Sequence, residues 1–398
     1  MSAGALPAFA TGLAGVPEEL IDALSAPLVD HHVHTSFAGP VARAEFEECL
    51  NEGSPEPVPA YMTQFDSQIG FAVRRWCAPL LGLEPHASAD DYWARRAELG
   101  EEAVARALLP AAGVRRWIVD PGYAGDRVAP TAALADWSGT PCSELIRLET
   151  LGEELLASGI AADDYPAAFR ARLAEHGPQV VGAKSIVAYR CGFDLDWSAP
   201  SDSAVRAEVG AWAAATGAAA TGAAAPRMAS PLLSAFGVHA AAEAGLPIQF
   251  HVGLGDRDLD LHRVDPMLLL GLLRQPAIQR VPVLLLHCYP FHRQAGYLAQ
   301  AFTNVSFDVG LAVNYAGARS VEVVAESLEM APFARQLYSS DAWGPPEFHL
   351  LGSVLWRRAM ARVLARWVRE GDWGVADAVR VVRMIGSSNA ERVYRLPT

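Results

Sequence analysis

The sequence has no CxxC pair and few cysteines. Its five (Cys49, Cys77, Cys142, Cys191 and Cys288) are odd in number and scattered through 398 residues, which suggests neither a thiolate zinc site nor a disulfide framework. A reducing, cytoplasmic setting is the expectation. Basic runs are lacking as well. With 32 Lys+Arg against 45 Asp+Glu the net charge is −13, and a nucleic-acid partner, which needs clustered Lys/Arg to neutralise phosphates, is not expected. Met1 to Leu20 lacks the basic start and compact apolar core of a secretory signal, because Gly and Pro interrupt its apolar residues. The charge-free stretch from Val209 to Pro226 is long enough to raise a membrane span, but it is mostly Ala with Gly and Thr and lacks the Leu, Ile and Phe that favour insertion. It reads as a soluble helix and loop, and no membrane partner is expected. At 51% hydrophobic and 19% charged residues, the chain can bury a large core, which excludes disorder as its main state.

What the sequence does have is a series of short Val/Ile/Leu-rich runs separated by longer helical or loop segments, the pattern of βα units. The eight runs are Leu28–His34, Val114–Val119, Glu144–Glu149, Val180–Val187, Pro247–His251, Val281–His287, Asn304–Asp308 and Gln336–Asp341. Several, such as VPVLLL at Val281–Leu286, are apolar at consecutive positions, as parallel strands covered on both faces must be. Apolar residues at helical spacing predict helices over Asp90–Leu109, Met267–Leu273, Ala295–Phe302, Glu347–Glu370, Val375–Ile385 and Ser387–Tyr394. The fold expected is an α/β (β/α)8 TIM barrel, as a single domain over residues 1–398. Such a barrel needs about 250 residues. Part of the excess is assigned to residues 36–113, a helical lid inserted after the first strand.

Barrel enzymes carry their chemistry at the carboxyl ends of the strands, where the βα loops form a pocket. Here the first strand ends Asp30-His31-His32-Val33-His34, and strand alternation puts His32 and His34 on one face with Asp30 while His31 points away. The fifth and sixth strands end at His251 and His287, the eighth at Asp341, and the fourth carries Lys184. Singly, each has an ordinary structural explanation: a hydrogen-bonded core histidine, a turn-capping aspartate, an ion-paired lysine. Jointly they place four of the 11 histidines at the ends of three strands whose ends meet, which points to a metal site. Imidazole with carboxylate suits zinc first, then manganese or iron, and an open coordination position makes the site catalytic by acidifying water. Asp341 would take the proton of that water. His86, His176 and His239 fall in predicted loops or helices, and His262, His292 and His349 lie in or after βα loops.

With these residues in place, the sequence resembles the amidohydrolase superfamily, in its amidohydrolase-related group with an Asp-x-His-x-His start. More narrowly it is similar to the amidohydrolase-like half of the nodulin/glutamine synthetase-like fusion proteins. The resemblance rests on Ala183–Arg190, Gln249–Leu261, Leu285–Leu298, Asn304–Gly310, Tyr338–Glu347 and the tail Asn389–Leu396. It implies His32, His34 and His251 as metal ligands, His287 as a ligand or catalytic group, and Asp341 as ligand and catalytic base. It also implies that Lys184, if carboxylated, bridges two ions, whereas one-metal members dispense with that lysine. Arg147 and Glu149 at the third strand, with Tyr189 and Arg190 after the fourth, are substrate-binding candidates, Arg147 being as well suited to an ion pair. Asp256, Trp343 and Glu347 are weaker ones. The glycines at Gly253–Gly255 complete no dinucleotide or P-loop pattern, so no nucleotide cofactor is expected. The activity implied is hydrolysis of a C–N (amide) bond in a small molecule, a γ-glutamyl amide by analogy. The alternative is metal-dependent, non-oxidative decarboxylation of a small carboxylic acid. A metal-free scaffold is disfavoured by the intact ligand set, and a homodimer is plausible for a barrel of this size.

Overall fold

The computed structural model describes residues 9–54, 56–216 and 227–397. Seven parallel strands follow one another in space in their chain order: β1 Leu28–Val33, β2 Val114–Val119, β3 Cys142–Arg147, β4 Val180–Ser185, β5 Ile248–Val252, β6 Val283–His287 and β7 Val305–Phe307. β1, β5, β6 and β7 are buried at every position, as strands lying between side chains that fill the barrel and helices packed outside must be. Outward residues such as Leu28, Phe250, Leu285 and Phe307 join one large hydrophobic cluster with Trp117 and the apolar face of the helix Pro346–Glu370, while Val29, Ile118, Leu284 and Leu286 form a second, smaller one.

The eighth run, Gln336–Asp341, is not a regular strand. It nevertheless lies where an eighth strand belongs. Gln336 bridges Phe307 in parallel, and Leu337 N–H donates to the Phe307 carbonyl at 3.1 Å. On the other side, His31 N–H donates to the Tyr338 carbonyl at 3.2 Å and Asp341 N–H to the His32 carbonyl at 3.1 Å. The segment thus closes the barrel between β7 and β1. The ladder breaks because Ser340 N–H turns to the buried Asp30 carboxylate (3.1 Å) and Asp341 adopts a left-handed φ of 49°.

The third strand also stops earlier than its sequence suggests. Glu149 lies in the helix Leu148–Ala157, where its buried carboxylate accepts from Ser185 Oγ (2.7 Å) and Ile186 N (3.0 Å) and so pins the end of β4. The helix foreseen over Asp90–Leu109 is two, Ala89–Leu99 and Glu101–Leu108, broken at Gly100, whose φ of 77° a side chain would resist. Of Val209–Pro226, the first part belongs to the helix Asp202–Thr216, while residues 217–226 lie outside the described residues. Among the described residues no helix is long and apolar enough to cross a membrane.

Between β1 and β2 the chain adds helices Arg43–Cys49, Gln68–Trp76, Ala89–Leu99 and Glu101–Leu108. A buried polar knot fastens this insertion to the barrel. Glu347, in the first turn of Pro346–Glu370, accepts from Tyr92 Oη (2.8 Å) and Arg96 Nε (2.7 Å), and Arg96 also grips Glu101. Glu347 is therefore engaged in anchoring and does not line the cavity at the barrel mouth.

Candidate metal centre

β1 sets the centre. Alternation turns His32 and His34 into the barrel mouth, while His31 points away and is held by Asp308 Oδ2 (2.9 Å) and the Tyr394 hydroxyl (3.1 Å). From the segment that runs beside β1 comes Asp341, whose carboxylate spans two groups of imidazoles. Its Oδ1 lies 3.1 Å from His32 Nε2 and 3.8 Å from His34 Nε2, and its Oδ2 lies 3.2 Å from His287 Nδ1. Lys184 Nζ, from β4, lies 3.4 Å from His32 Nε2. It is the only lysine in the chain.

Two of these side chains leave strand ends in left-handed backbone, His287 at φ 67° and Asp341 at φ 49°. Non-glycine residues rarely adopt that region, and such strain collects at functional sites. Hydrogen bonds hold it in place: His287 N–H donates to Asp308 Oδ1 at 3.0 Å, as does the Ser339 hydroxyl at 2.9 Å. Asp308 is thus a platform beneath the centre rather than a member of it.

The donor atoms fit a cation. His32, His287 and Asp341 can each turn one atom toward a common point, and so can His32, His34 and Asp120. His251 Nε2, both ring nitrogens of His287 and Asp341 Oδ1 are buried without a hydrogen-bond partner among the described residues, a condition that costs free energy unless something else satisfies them. Burial, helped by nearby Lys184, holds His32 and His251 well below the usual imidazole range. Burial and the neighbouring His251 do the same for His287, and burial drops His34 to about 4. All four are neutral donors at pH 7. Burial also lifts Asp341 well above the ordinary carboxylate range and brings Lys184 down to about 8. A cation would reverse the Asp341 shift by favouring the ionised form.

His251 lies in the same cavity, its ring 4.6 Å from that of His287 and 4.7 Å from that of Tyr189. A side chain at Gly255 would overlap the Tyr189 hydroxyl, so glycine there permits this approach. Tyr189, Arg147 and Arg190 all line the cavity, as do Asp256 and Trp343. Arg147, however, is committed to Asp120, with Nη2 2.6 Å from Oδ2, and Arg190 pairs with Glu153 at 3.0 Å. Of the other histidines, His349 Nε2–H donates to the His34 carbonyl (3.1 Å), His292 pairs with Glu326 (2.6 Å) and His239 with the Trp197 carbonyl (2.8 Å).

Asp120, Glu52, Tyr123 and Arg227 belong to the site and escaped the sequence reading. Asp120 had a signal, since it directly follows the run Val114–Val119 as the other strand-end acids follow theirs. The other three sit in loops or beside them, with no periodicity to mark them.

Residues 188–396 match the sequence profile of a family described as Amidohydrolase, just over half of the chain. The chain belongs to the amidohydrolase family. It is also 30% identical over 226 residues to protein fluG of Emericella nidulans, a match covering 55% of this chain and 26% of that protein, so it spans about a quarter of that relative's length. A solved structure from Lactobacillus casei, assigned as a metal-dependent hydrolase, superposes with a TM-score of 0.81 at 24% identity, covering 96% of this chain and 98% of the other. A uronate isomerase from Bacillus halodurans superposes at 0.60 and 15% identity, covering 96% of both chains. At these identities the structures establish the fold alone, a TIM-barrel architecture. Family membership and the His/Asp cluster together make the chain an amidohydrolase-family enzyme with a site for a divalent metal.

Proposed function

We propose that this enzyme hydrolyses a C–N (amide) bond of a small molecule. The observation that carries the reading is the convergence of His32, His34 and His287 nitrogens on the two oxygens of Asp341, at the floor of a cavity of about 210 Å³. These four residues would hold the metal, with His251 and Lys184 completing the set. Zinc matches imidazole and carboxylate donors best, ahead of manganese and iron. The two-sided reach of Asp341 supports a second ion, which Lys184, if carboxylated, would help to hold. Bound there, a divalent cation lowers the pKa of water to about 7 and polarises a carbonyl oxygen.

The chain's own residues do the rest. Asp341 accepts the proton of the attacking water as the new C–O bond forms, then delivers it to the departing nitrogen as the C–N bond breaks. Tyr123, Tyr189 and Trp343 wall the cavity and exclude bulk water. The insertion over residues 36–113 serves as the lid, since Glu52 from it reaches the cavity. The five free cysteines support a reducing, cytoplasmic setting.

Elemental analysis combined with a panel of small N-acyl amines tests this. The expected result is bound zinc, amine release that stops on chelation, and recovery on zinc addition. Absence of any divalent metal, or release of CO2 from carboxylic acids in place of amine from amides, would overturn it.

A further inference from the structure

Deep in the cavity are the metal-binding side chains, but its outer wall has a different character. Glu52 comes from the insertion and Asp256 and Asp258 from the loop after β5, and all three line the space. None of them pairs with an arginine or lysine among the described residues, and Glu52 receives neutral donors alone, the Tyr315 hydroxyl at 3.1 Å and the Trp343 side chain. The cations that face the same space are mostly spent. Arg147 is neutralised by Asp120 and Arg190 by Glu153, and Lys184 lies in the metal cluster. Among the described residues that line this space, Arg227, which donates to the Tyr189 carbonyl at 2.7 Å, is the one cation left to set against three carboxylates. Aromatic faces complete the wall. Tyr123 meets Trp343 edge-on with centroids 5.1 Å apart, and Tyr189 stands across from them on the ring of His251.

Unpaired carboxylates crowded beside aromatic rings repel one another until a cation lies among them, and the rings attract that cation through their negative faces. The geometry points to a substrate that carries an organic cation: an amide whose far end bears a primary ammonium, held by Glu52 and Asp256 against Tyr123, Tyr189 and Trp343. This rests on the amide-hydrolase reading of the same site, and names the class of amide.

Binding and turnover separate the two. By calorimetry on zinc-loaded and chelated protein, n-butylammonium should bind about tenfold or more tighter than butyrate or n-butanol. Glu52→Gln and, independently, Asp256→Asn should each weaken n-butylammonium about tenfold with zinc content and circular dichroism unchanged. Tighter binding of butyrate, indifference of n-butylammonium binding to both variants, or calcium uptake abolished by Glu52→Gln would overturn the proposal. In turnover, kcat/KM should favour ammonium-tailed amides over carboxylate-tailed amides of equal length. Equal turnover of both would sink the cation and leave the hydrolase. Retained n-butylammonium selectivity without hydrolysis of any amide would uphold the cation and sink the hydrolase.

Discussion

His34 Nδ1 lies 2.8 Å from the main-chain carbonyl oxygen of Asp120. A carbonyl can only accept, so Nδ1 carries the proton and Nε2 is left as the donor atom that faces the cavity. Arg147 clamps the Asp120 side chain from the other direction, Nη2 to Oδ2 at 2.6 Å, and the pair is almost wholly buried. Replacing the carboxylate would leave Arg147 buried with no counter-charge, at a cost of about 3–5 kcal/mol. Asp120→Asn should therefore unfold at lower denaturant and, by loosening the loop that orients His34, bind zinc about 10–100-fold more weakly. A variant matching the parent in both chemical denaturation and zinc titration would show that Asp120 has no share in holding the centre.

Lys184 is the chain's only lysine, which makes its modification unusually easy to read. Desolvation favours the uncharged amine, the form that reacts with CO2, and Lys184 Nζ lies 3.4 Å from His32 Nε2, within the candidate centre. Protein loaded with zinc in 13C-bicarbonate should show a single carbamate resonance. Lys184→Ala should lose that resonance and half the bound zinc. A full metal complement in the variant would establish a centre that does not use the lysine.

Asp341 reaches both sides of the cluster, so its two duties can be pulled apart. Asn keeps one oxygen for coordination but cannot accept a proton from water. Asp341→Asn should retain most bound zinc while kcat falls about 10²–10⁴-fold, the usual share of a general base. Unchanged turnover would move the proton to another group, and complete loss of metal would make Asp341 foremost a ligand.

The legible part of this site was the part carried by strand geometry. His32 and His34 could be placed because a two-residue repeat fixes their common face, His287 because an unbroken apolar run leads directly to it, and His251 and Asp341 because each closes a short, largely apolar or small-residue run that reads as a strand. The barrel was legible for the same reason. Where local bonding overrode the apolar pattern, the reading slipped: the Asp30 carboxylate takes Ser340 N–H from the eighth ladder, and Glu149 begins a helix to cap β4. Glu347 fell outside any pattern, since its partners Tyr92 and Arg96 are some 250 positions away. Glu52 and Tyr123 likewise reach the cavity only because the folded insertion and the loop after β2 bring them there. No periodicity in a single sequence encodes that approach.

Glu52 also leaves a signature in the dependence of stability on pH. Burial pushes its carboxyl up to about 7, with Asp256 adding to the rise and the Tyr315 hydroxyl opposing it. In the unfolded chain a glutamate titrates near 4.3. Between these values the folded protein holds more protons than the unfolded chain, so this group's contribution to stability falls as pH rises through the window and stays low above it. Glutamine does not titrate and escapes the penalty. Relative to the parent, Glu52→Gln should gain about 1–2 kcal/mol between pH 4 and pH 8, a figure reduced because solvent reaches part of the carboxylate. Urea unfolding at the two pH values measures it, and a difference that does not change with pH would mean Glu52 ionises freely. If an ammonium is the natural neighbour of this carboxylate, the same concentration of n-butylammonium at pH 8 should stabilise the parent more than Glu52→Gln, which binds it about tenfold more weakly.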